Sequence, residues 1–422
     1  MKGCLLWSRI RLYFDDYMNL LRMDMHRLNE KCFVNTNKDA DTFVGIKCEN
    51  GDFSVHFPLG FDYSTDENQL RKEIFLLINT IAGTIGHKTS EFKLQDVEYN
   101  HVEYPIQACM FIICDYYEHG LYLEYGKKYM LAKSGKINWN RTIKTQKPYV
   151  QGSKAFYLDY VVSKKRINED ELITHIHEWC VYDSFLILGW LFTPNMPGKP
   201  EIKFDKLLFE RVILNRLLEC FNDNYKRLFN SMLALIRMHG SDTDMDYKYG
   251  TDRFEYVWER LIDRAFGISD KERFFPKTRW ILKGNQKYSN ACLEPDSIMI
   301  YKDKIYILDA KYYKYGSTFN PMDLPESTSI NKQITYGEYV KRVSDKAVFN
   351  AFIMPFSKIS SNKTSDMESI GEAISDWKSN ENSYERIQGI LLDVKYLMNM
   401  TFYKDKKEIM RLAELIEAGV SM

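Results

Sequence analysis

Leu293-Glu294-Pro295-Asp296-Ser297-Ile298-Met299-Ile300-Tyr301, then Lys302-Asp303-Lys304, then Ile305-Tyr306-Ile307-Leu308-Asp309-Ala310-Lys311-Tyr312-Tyr313 is the stretch from which the fold can be read. Two apolar runs flank a three-residue charged turn and each run carries one Asp, which is the pattern of a β-hairpin. With the turn centred on Asp303, an antiparallel register sets Asp296 opposite Asp309 or Ala310. Two carboxylates then meet at the end away from the turn. Side chains alternate along a strand, so Asp309 and Lys311 share a face. Packing a hairpin does not call for two carboxylates and an ammonium at one end of a sheet; a metal site that cuts phosphodiesters does.

Outward from the hairpin, the C-terminal part reads as one α/β unit. Thr251-Asp252 caps a helix to about Phe266, with Phe254, Val257, Trp258 and Leu261 on its apolar face. A strand at 278–283 precedes the hairpin. After a loop with Pro321 and Pro325 come a helix from about Ser329 to Val343 and a strand over 347–355. A polar loop is expected over 358–384, then a strand near 387–395 and a helix at about 404–418. The order predicts a mixed central sheet flanked by helices over 246–422. The polar, Gly-bounded run His239–Gly250 marks the boundary. Asp242, Asp244 and Asp246 in that run lack the Gly and closing Glu of a calcium loop.

The region 1–245 reads as mixed α+β, serving DNA recognition, partner binding or both. Residues 1–40 give no clear pattern. Asn50-Gly51 between the alternating runs of 43–58 predicts a hairpin. Helical spacing covers 66–86, and an apolar helix or strand pair covers 104–126. A helix is expected over 168–191; its His175 and His177, two residues apart, face different ways and make no metal pair. A single long helix is expected over 205–238, its stripe of Leu207, Leu208, Val212, Leu217, Leu218, Phe221, Leu228 and Met232 serving the core or a subunit interface.

Composition excludes several classes. The 422 residues leave room for two or three domains, and 45% hydrophobic with 14% aromatic content supports a sizeable core. The 58 basic and 58 acidic residues cancel, so any basic surface is local. One such segment runs from Tyr125 to Lys144, where Lys136, Arg141 and Lys144 interleave with Tyr129 and Trp139, a pattern that can track a phosphate backbone. The eight cysteines form no C-x-x-C pair, which argues against a zinc ribbon and for reduced thiols. The N-terminal apolar run is too short for a signal peptide, and the absence of 18 consecutive apolar residues predicts no membrane span. A soluble, cytoplasmic protein is expected.

The chemistry follows from the hairpin. Asp296 and Asp309 can jointly hold Mg²⁺, with the Ala310 carbonyl as a further ligand, because hard cations take oxygen donors. Lys311 would orient water or neutralise developing charge. Glu259, beside Val257-Trp258 on the preceding helix, is the preferred additional carboxylate, and Glu255, one turn earlier, is its competitor. Acid-x-Lys alone is weak: it recurs at Glu91-Phe92-Lys93, Glu201-Ile202-Lys203, Asp246-Tyr247-Lys248, Asp393-Val394-Lys395 and Asp405-Lys406-Lys407. Only Asp309-Ala310-Lys311 has a Pro-Asp at hairpin distance upstream and a Glu-bearing helix before it.

Pro295-Asp296 followed by Asp309-Ala310-Lys311 is similar to the PD-(D/E)xK nuclease signature. The string from Ile307 to Tyr313, with Leu324-Pro325 and Ile330-Asn331-Lys332-Gln333-Ile334-Thr335-Tyr336, resembles the LlaJI-type restriction endonucleases; so do Val257-Trp258-Glu259 and Gly135–Ile143. The resemblance implies a restriction-endonuclease-like PD-(D/E)xK core and a type II endonuclease of a restriction–modification system. It implies dependence on Mg²⁺, with Mn²⁺ substituting, and products with a 5′-phosphate and a 3′-hydroxyl. It also implies Gln333 near the scissile phosphate or the attacking water, with Tyr336 beside it toward the DNA. From the residues alone, Gln333 and Tyr336 would be an ordinary surface pair.

The implied partners are double-stranded DNA, a second copy of the chain or a larger assembly, since two strands need two sites, and a cognate DNA methyltransferase. One alternative is the nuclease subunit of a McrBC-like complex, working with a separate NTPase; the chain has no G-x-x-x-x-G-K-[ST] loop of its own. Another is a non-catalytic DNA-binding scaffold on a nuclease-like fold.

Overall fold

A computed structural model describes residues 28–38, 41–49, 52–85, 105–152, 154–168, 171–193, 195–239, 247–283, 287–289, 292–400 and 405–420. The Asn50-Gly51 turn, the polar run at 240–246 and residues 1–27 lie outside them. The chain forms two compact units, one drawn from Met1–Glu103 and Asp244–Met422, the other from Tyr104–Thr243. A single cut at 245 therefore does not describe the chain. Strands Val44–Glu49 and Asp52–Phe57 pair antiparallel, as their alternation predicts, and then join Tyr247–Thr251 in a four-stranded sheet with Cys32–Val34 at its far edge. Gly45 and Gly250 face each other in that sheet, and a Cβ on either would lie 2.2 Å from the opposite backbone. The hairpin signal shows that two strands pair; it carries no information about a third strand two hundred residues away.

The first unit is built on a five-stranded sheet in the order Ser297–Tyr301, Lys304–Ala310, Ala347–Phe356, Ile387–Asp393, Met367–Ala373. The three central strands are parallel and both edges antiparallel, so the fold is α/β with a mixed sheet. Helix Ser327–Val343 covers one face, burying Tyr336 and Val340 among Ile298, Ile305, Ile307 and Val348. Helix Lys406–Val420 covers the other, where Glu417 takes hydrogen bonds from Tyr306 Oη and Lys304 Nζ. The turn is shorter than expected, since Lys304 already pairs with Tyr301, and Lys302 takes a left-handed φ of 52° to close it.

Three further expectations differ from the structure. The strand near 278–283 is Arg279–Ile281, which pairs with Lys287–Ser289 in an exposed ribbon outside the central sheet. The polar loop 358–384 contains the edge strand Met367–Ala373, hidden because an edge strand can carry Glu368, Ser369 and Glu372 on a half-exposed ladder. Thr251 Oγ1 receives the Arg253 amide before the helix Phe254–Phe266, and no side chain caps that helix directly.

In the second unit, helices Ile106–His119 and Leu172–Phe192 pack together. The long stretch 205–238 is two helices, Lys206–Glu219 and Asp223–Met238, broken where Asn222 accepts from the Asn224 and Tyr225 amides. The break splits the stripe: Leu228 and Met232 are buried, whereas Leu207, Leu218 and Phe221 are more than four-fifths exposed, Phe221 at 91%. His177 is buried, its Nδ1 accepts the Tyr122 amide, and burial lowers it to about 4, a neutral structural histidine. Among the described residues no helix is long and apolar enough to cross a membrane.

Candidate active site

The hairpin register is Ser297 opposite Leu308, which carries Asp296 to the level of Asp309. The Asp296 carboxylate turns across the ladder and accepts the Ala310 amide at 2.8 Å. Asp309, 4% exposed, lies 2.6 Å from the Lys311 ammonium. Each carboxylate keeps one oxygen without a hydrogen bond to a described residue. These groups stand at the carboxyl ends of the parallel strands, where open α/β sheets place their ligands.

Helix Phe254–Phe266 brings the third acid. Trp258 is fully buried and its indole donates to the Ile353 carbonyl at 3.1 Å. Ile353 is the register partner of Ala310, and its carbonyl also receives the Lys311 amide at 2.9 Å. Trp258 thus seats the helix at the level of the Asp309 cluster and leaves the next residue, Glu259, half-buried beside it. Burial, and then the charge of Asp309, raises the Glu259 carboxyl to about 7. Asp296 is raised well above the usual carboxylate range by burial first, then by Asp309 and Glu259. Glu255 lies instead by the Arg253 guanidinium, 3.7 Å away.

Asp296 is also held from behind. Lys271 Nζ donates to the Asp296 carbonyl at 2.6 Å and contacts Asp263 at 3.0 Å. Tyr336 Oη donates to the Glu294 carbonyl at 3.1 Å. Tyr336 is fully buried in the core, with its hydroxyl raised by burial and by Asp309 and Asp296, so its expected place facing DNA is not where the structure puts it. Gln333 is likewise interior at 1% exposure: its amide donates to the Ile307 carbonyl at 2.9 Å, and its Oε1 is buried without a partner. Lys271, Asp263 and Lys332, whose charge acts on Glu259, escaped the sequence reading. Asp263, four residues after Glu259 on one helix face, is the only one that spacing could have suggested. The N-terminal segment reaches the same place: the Leu59 amide donates to Tyr312 Oη at 2.6 Å and Asn37 to the Tyr312 carbonyl at 3.3 Å. Lys136, Arg141 and Lys144 belong to the second unit, exposed on its surface.

Among the described residues no three His, Cys, Asp or Glu side chains close on one point as a metal cage. The donor set is smaller: one open oxygen from each of two neighbouring carboxylates, Asp296 and Asp309. That set fits Mg²⁺, which is held by one or two carboxylates and keeps several waters, and does not resemble a protein-enclosed structural site.

A mixed sheet with helices on both faces and an acid–lysine cluster at its carboxyl edge is a restriction-endonuclease-like architecture. The sequence pattern of the LlaJI restriction endonuclease family matches residues 43–374, most of the chain, and the chain belongs to that family. It is therefore a nuclease of a restriction system, a hydrolase whose substrate is DNA. No curated protein matches the chain.

Proposed function

We propose that the chain is a Mg²⁺-dependent type II endonuclease of the PD-(D/E)xK kind, cutting double-stranded DNA at a specific sequence, with Mn²⁺ as a substitute ion. The observation that carries this reading is the Asp296 carboxylate bonded to the Ala310 amide with Asp309 and Lys311 alongside. Asp296, Asp309 and the Ala310 carbonyl would hold the ion, with Glu259 as a further acid, and the ion would supply a more acidic bound water and charge neutralisation at the phosphate. Lys311 orients the attacking water and balances charge on the phosphorane oxygens. Glu259, raised to about 7, takes up a proton near neutral pH. Water oxygen bonds to phosphorus as the P–O3′ bond breaks, leaving a 5′-phosphate and a 3′-hydroxyl. Gln333 acts indirectly, by holding the strand that carries Asp309. Lys136, Arg141 and Lys144 contact DNA. Two copies of the chain cut the two strands, and a methyltransferase protects the host sites.

The test is plasmid cleavage by the purified chain with Mg²⁺, with EDTA, and with Asp309→Asn, followed by sequencing of the ends. Cutting with Mg²⁺ alone that is lost in EDTA and in the variant is expected. Cutting only after an NTPase partner and nucleotide are added would assign the McrBC-like role. DNA binding with no cutting under any metal would leave a scaffold.

A further inference from the structure

The second unit carries a charge pattern that the nuclease site does not use. Strands Glu124–Ala132 and Tyr160–Asn168 form a two-stranded antiparallel ribbon whose register sets Lys127 opposite Lys165 and Lys128 opposite Lys164, with Arg166 on the next rung opposite Gly126. Like charges directly opposite destabilise a ladder, and here two such rungs are consecutive. From Tyr125 to Asn168 the sequence holds eleven Lys and Arg and one acid, Asp159, within a chain whose net charge is zero.

The segment between the strands extends the same surface. Lys133, Lys136, Arg141, Lys144, Lys147 and Lys154 are exposed, and none makes an ion pair with a described residue. Their backbone is nevertheless fixed. Asn138 donates its amide to the Val161 carbonyl at 2.8 Å, and the Ser163 amide donates to Lys136 at 2.9 Å, so residues 136–138 run as a third line along the ribbon. Asn138 caps the helix Trp139–Thr145, and Thr142 Oγ1 receives the Val161 amide at 2.9 Å. The Arg141 guanidinium lies 3.8 Å over the Tyr129 ring. Held over Tyr129, the Arg141 side chain loses little conformational freedom on binding.

We infer that this ribbon and the segment it carries dock on the phosphate backbone of duplex DNA, supplying affinity that does not depend on sequence. The inference rests on the reading of DNA as substrate and adds where the duplex is held. It is tested with the full chain carrying Lys127→Gln, Lys128→Gln, Lys164→Gln and Lys165→Gln together. Binding to a fluorescein-labelled mixed-sequence duplex is followed by anisotropy in EDTA over a series of KCl concentrations. Consecutive rungs lie on opposite faces of the ribbon, so a duplex on one face meets two of the four lysines, and the slope of log affinity against log salt should become shallower by about 2, near 0.9 for each lost contact, while the melting temperature stays level or rises. An unchanged slope overturns the inference, as does a binding loss that tracks a lower melting temperature. Anionic phospholipid vesicles or single-stranded RNA binding as tightly as the duplex, with the same dependence on the four lysines, would overturn the assignment to duplex DNA. Since binding is read in EDTA, a chain that never cuts still tests the surface; a chain that cuts but keeps its slope sinks the surface alone.

Discussion

Two acid-x-Lys triplets close parallel strands of one sheet at the same edge. Asp309-Ala310-Lys311 ends one strand; Asp393-Val394-Lys395 follows another, with Asp393 paired in register to Phe356. Both Asp side chains are buried, yet their surroundings assign them opposite work. Asp393 is spent on backbone: its oxygens accept the Tyr396 amide at 2.7 Å, capping the helix Val394–Met400, and the Lys358 amide at 2.8 Å. Lys395 is likewise committed, paired with Glu73, a carboxylate 1% exposed. Asp309 has an ammonium on one oxygen, none on the other, and two further acids within electrostatic reach. A triplet whose groups are all satisfied by the fold is structure; one left with open oxygens beside further acids keeps donor atoms that the fold itself does not use.

Substitution should split the pair cleanly. Asp309→Asn is expected to lower cleavage about a thousandfold in a plasmid assay while the melting temperature holds or rises, because the crowding of Asp296 and Glu259 is relieved. Asp393→Ala should do the reverse, costing about 1–2 kcal/mol through the lost cap with the cutting rate per folded molecule unchanged. Equal loss of cleavage in both would erase the distinction. The lysines follow at the next magnitude. Lys311→Met should lose about a hundredfold in rate and little stability, whereas Lys395→Met strands the Glu73 carboxylate and should cost about 3 kcal/mol by denaturant unfolding.

Smaller effects come from the supports of Asp296, which have no counterpart behind Asp393. Tyr336→Phe removes the hydroxyl that holds the Glu294 carbonyl. Its expected cost is about 1 kcal/mol of stability and a several-fold slower rate with substrate affinity unchanged. Lys271→Met should act the same way. A rate loss matched entirely by weaker DNA binding in either variant would mean these groups touch the substrate rather than place Asp296.

The contrast also shows what sequence can and cannot convey. The strand pairing, the opposition of Asp296 and Asp309 and the seating of Glu259 by Trp258 were legible, since each depends on local spacing with period 2 or 3.6. The burial of Gln333 and Tyr336 was not: one helix carries both exposed and interior faces, and family likeness drew attention to residue type rather than orientation. The edge strand Met367–Ala373 was hidden by its polar ladder, and the break at Asn222 by apolar residues that continue the helical period to either side. The contacts of residues 37 and 59 with Tyr312, just beyond the strand that carries Asp309, lie at long sequence separation, which no local pattern encodes.

The mildest test turns on protons. Glu259 titrates at about 7 in the folded chain against 4.5 for an unperturbed carboxyl, because burial and then Asp309 oppose its charge. A carboxyl raised by folding binds its proton more tightly in the native state, so its contribution is fully present below about 4.5 and is lost as pH rises through about 7. The metal-free protein should therefore melt at progressively lower temperature across that window. Glu259→Gln should flatten the fall, leaving the share due to Asp296 and Asp393, which burial also raises. Glu255→Gln removes a smaller contribution to the raised Glu259 carboxyl, after burial and Asp309, and should flatten the slope less than Glu259→Gln. Divalent ions should bind more tightly as the same protons leave, so added Mg²⁺ should restore melting temperature most at the alkaline end in the wild type and least in Glu259→Gln. A thermal-melt series in EDTA and in Mg²⁺ reads both effects. Identical slopes in wild type and Glu259→Gln would detach Glu259 from the acid cluster and return the choice to Glu255.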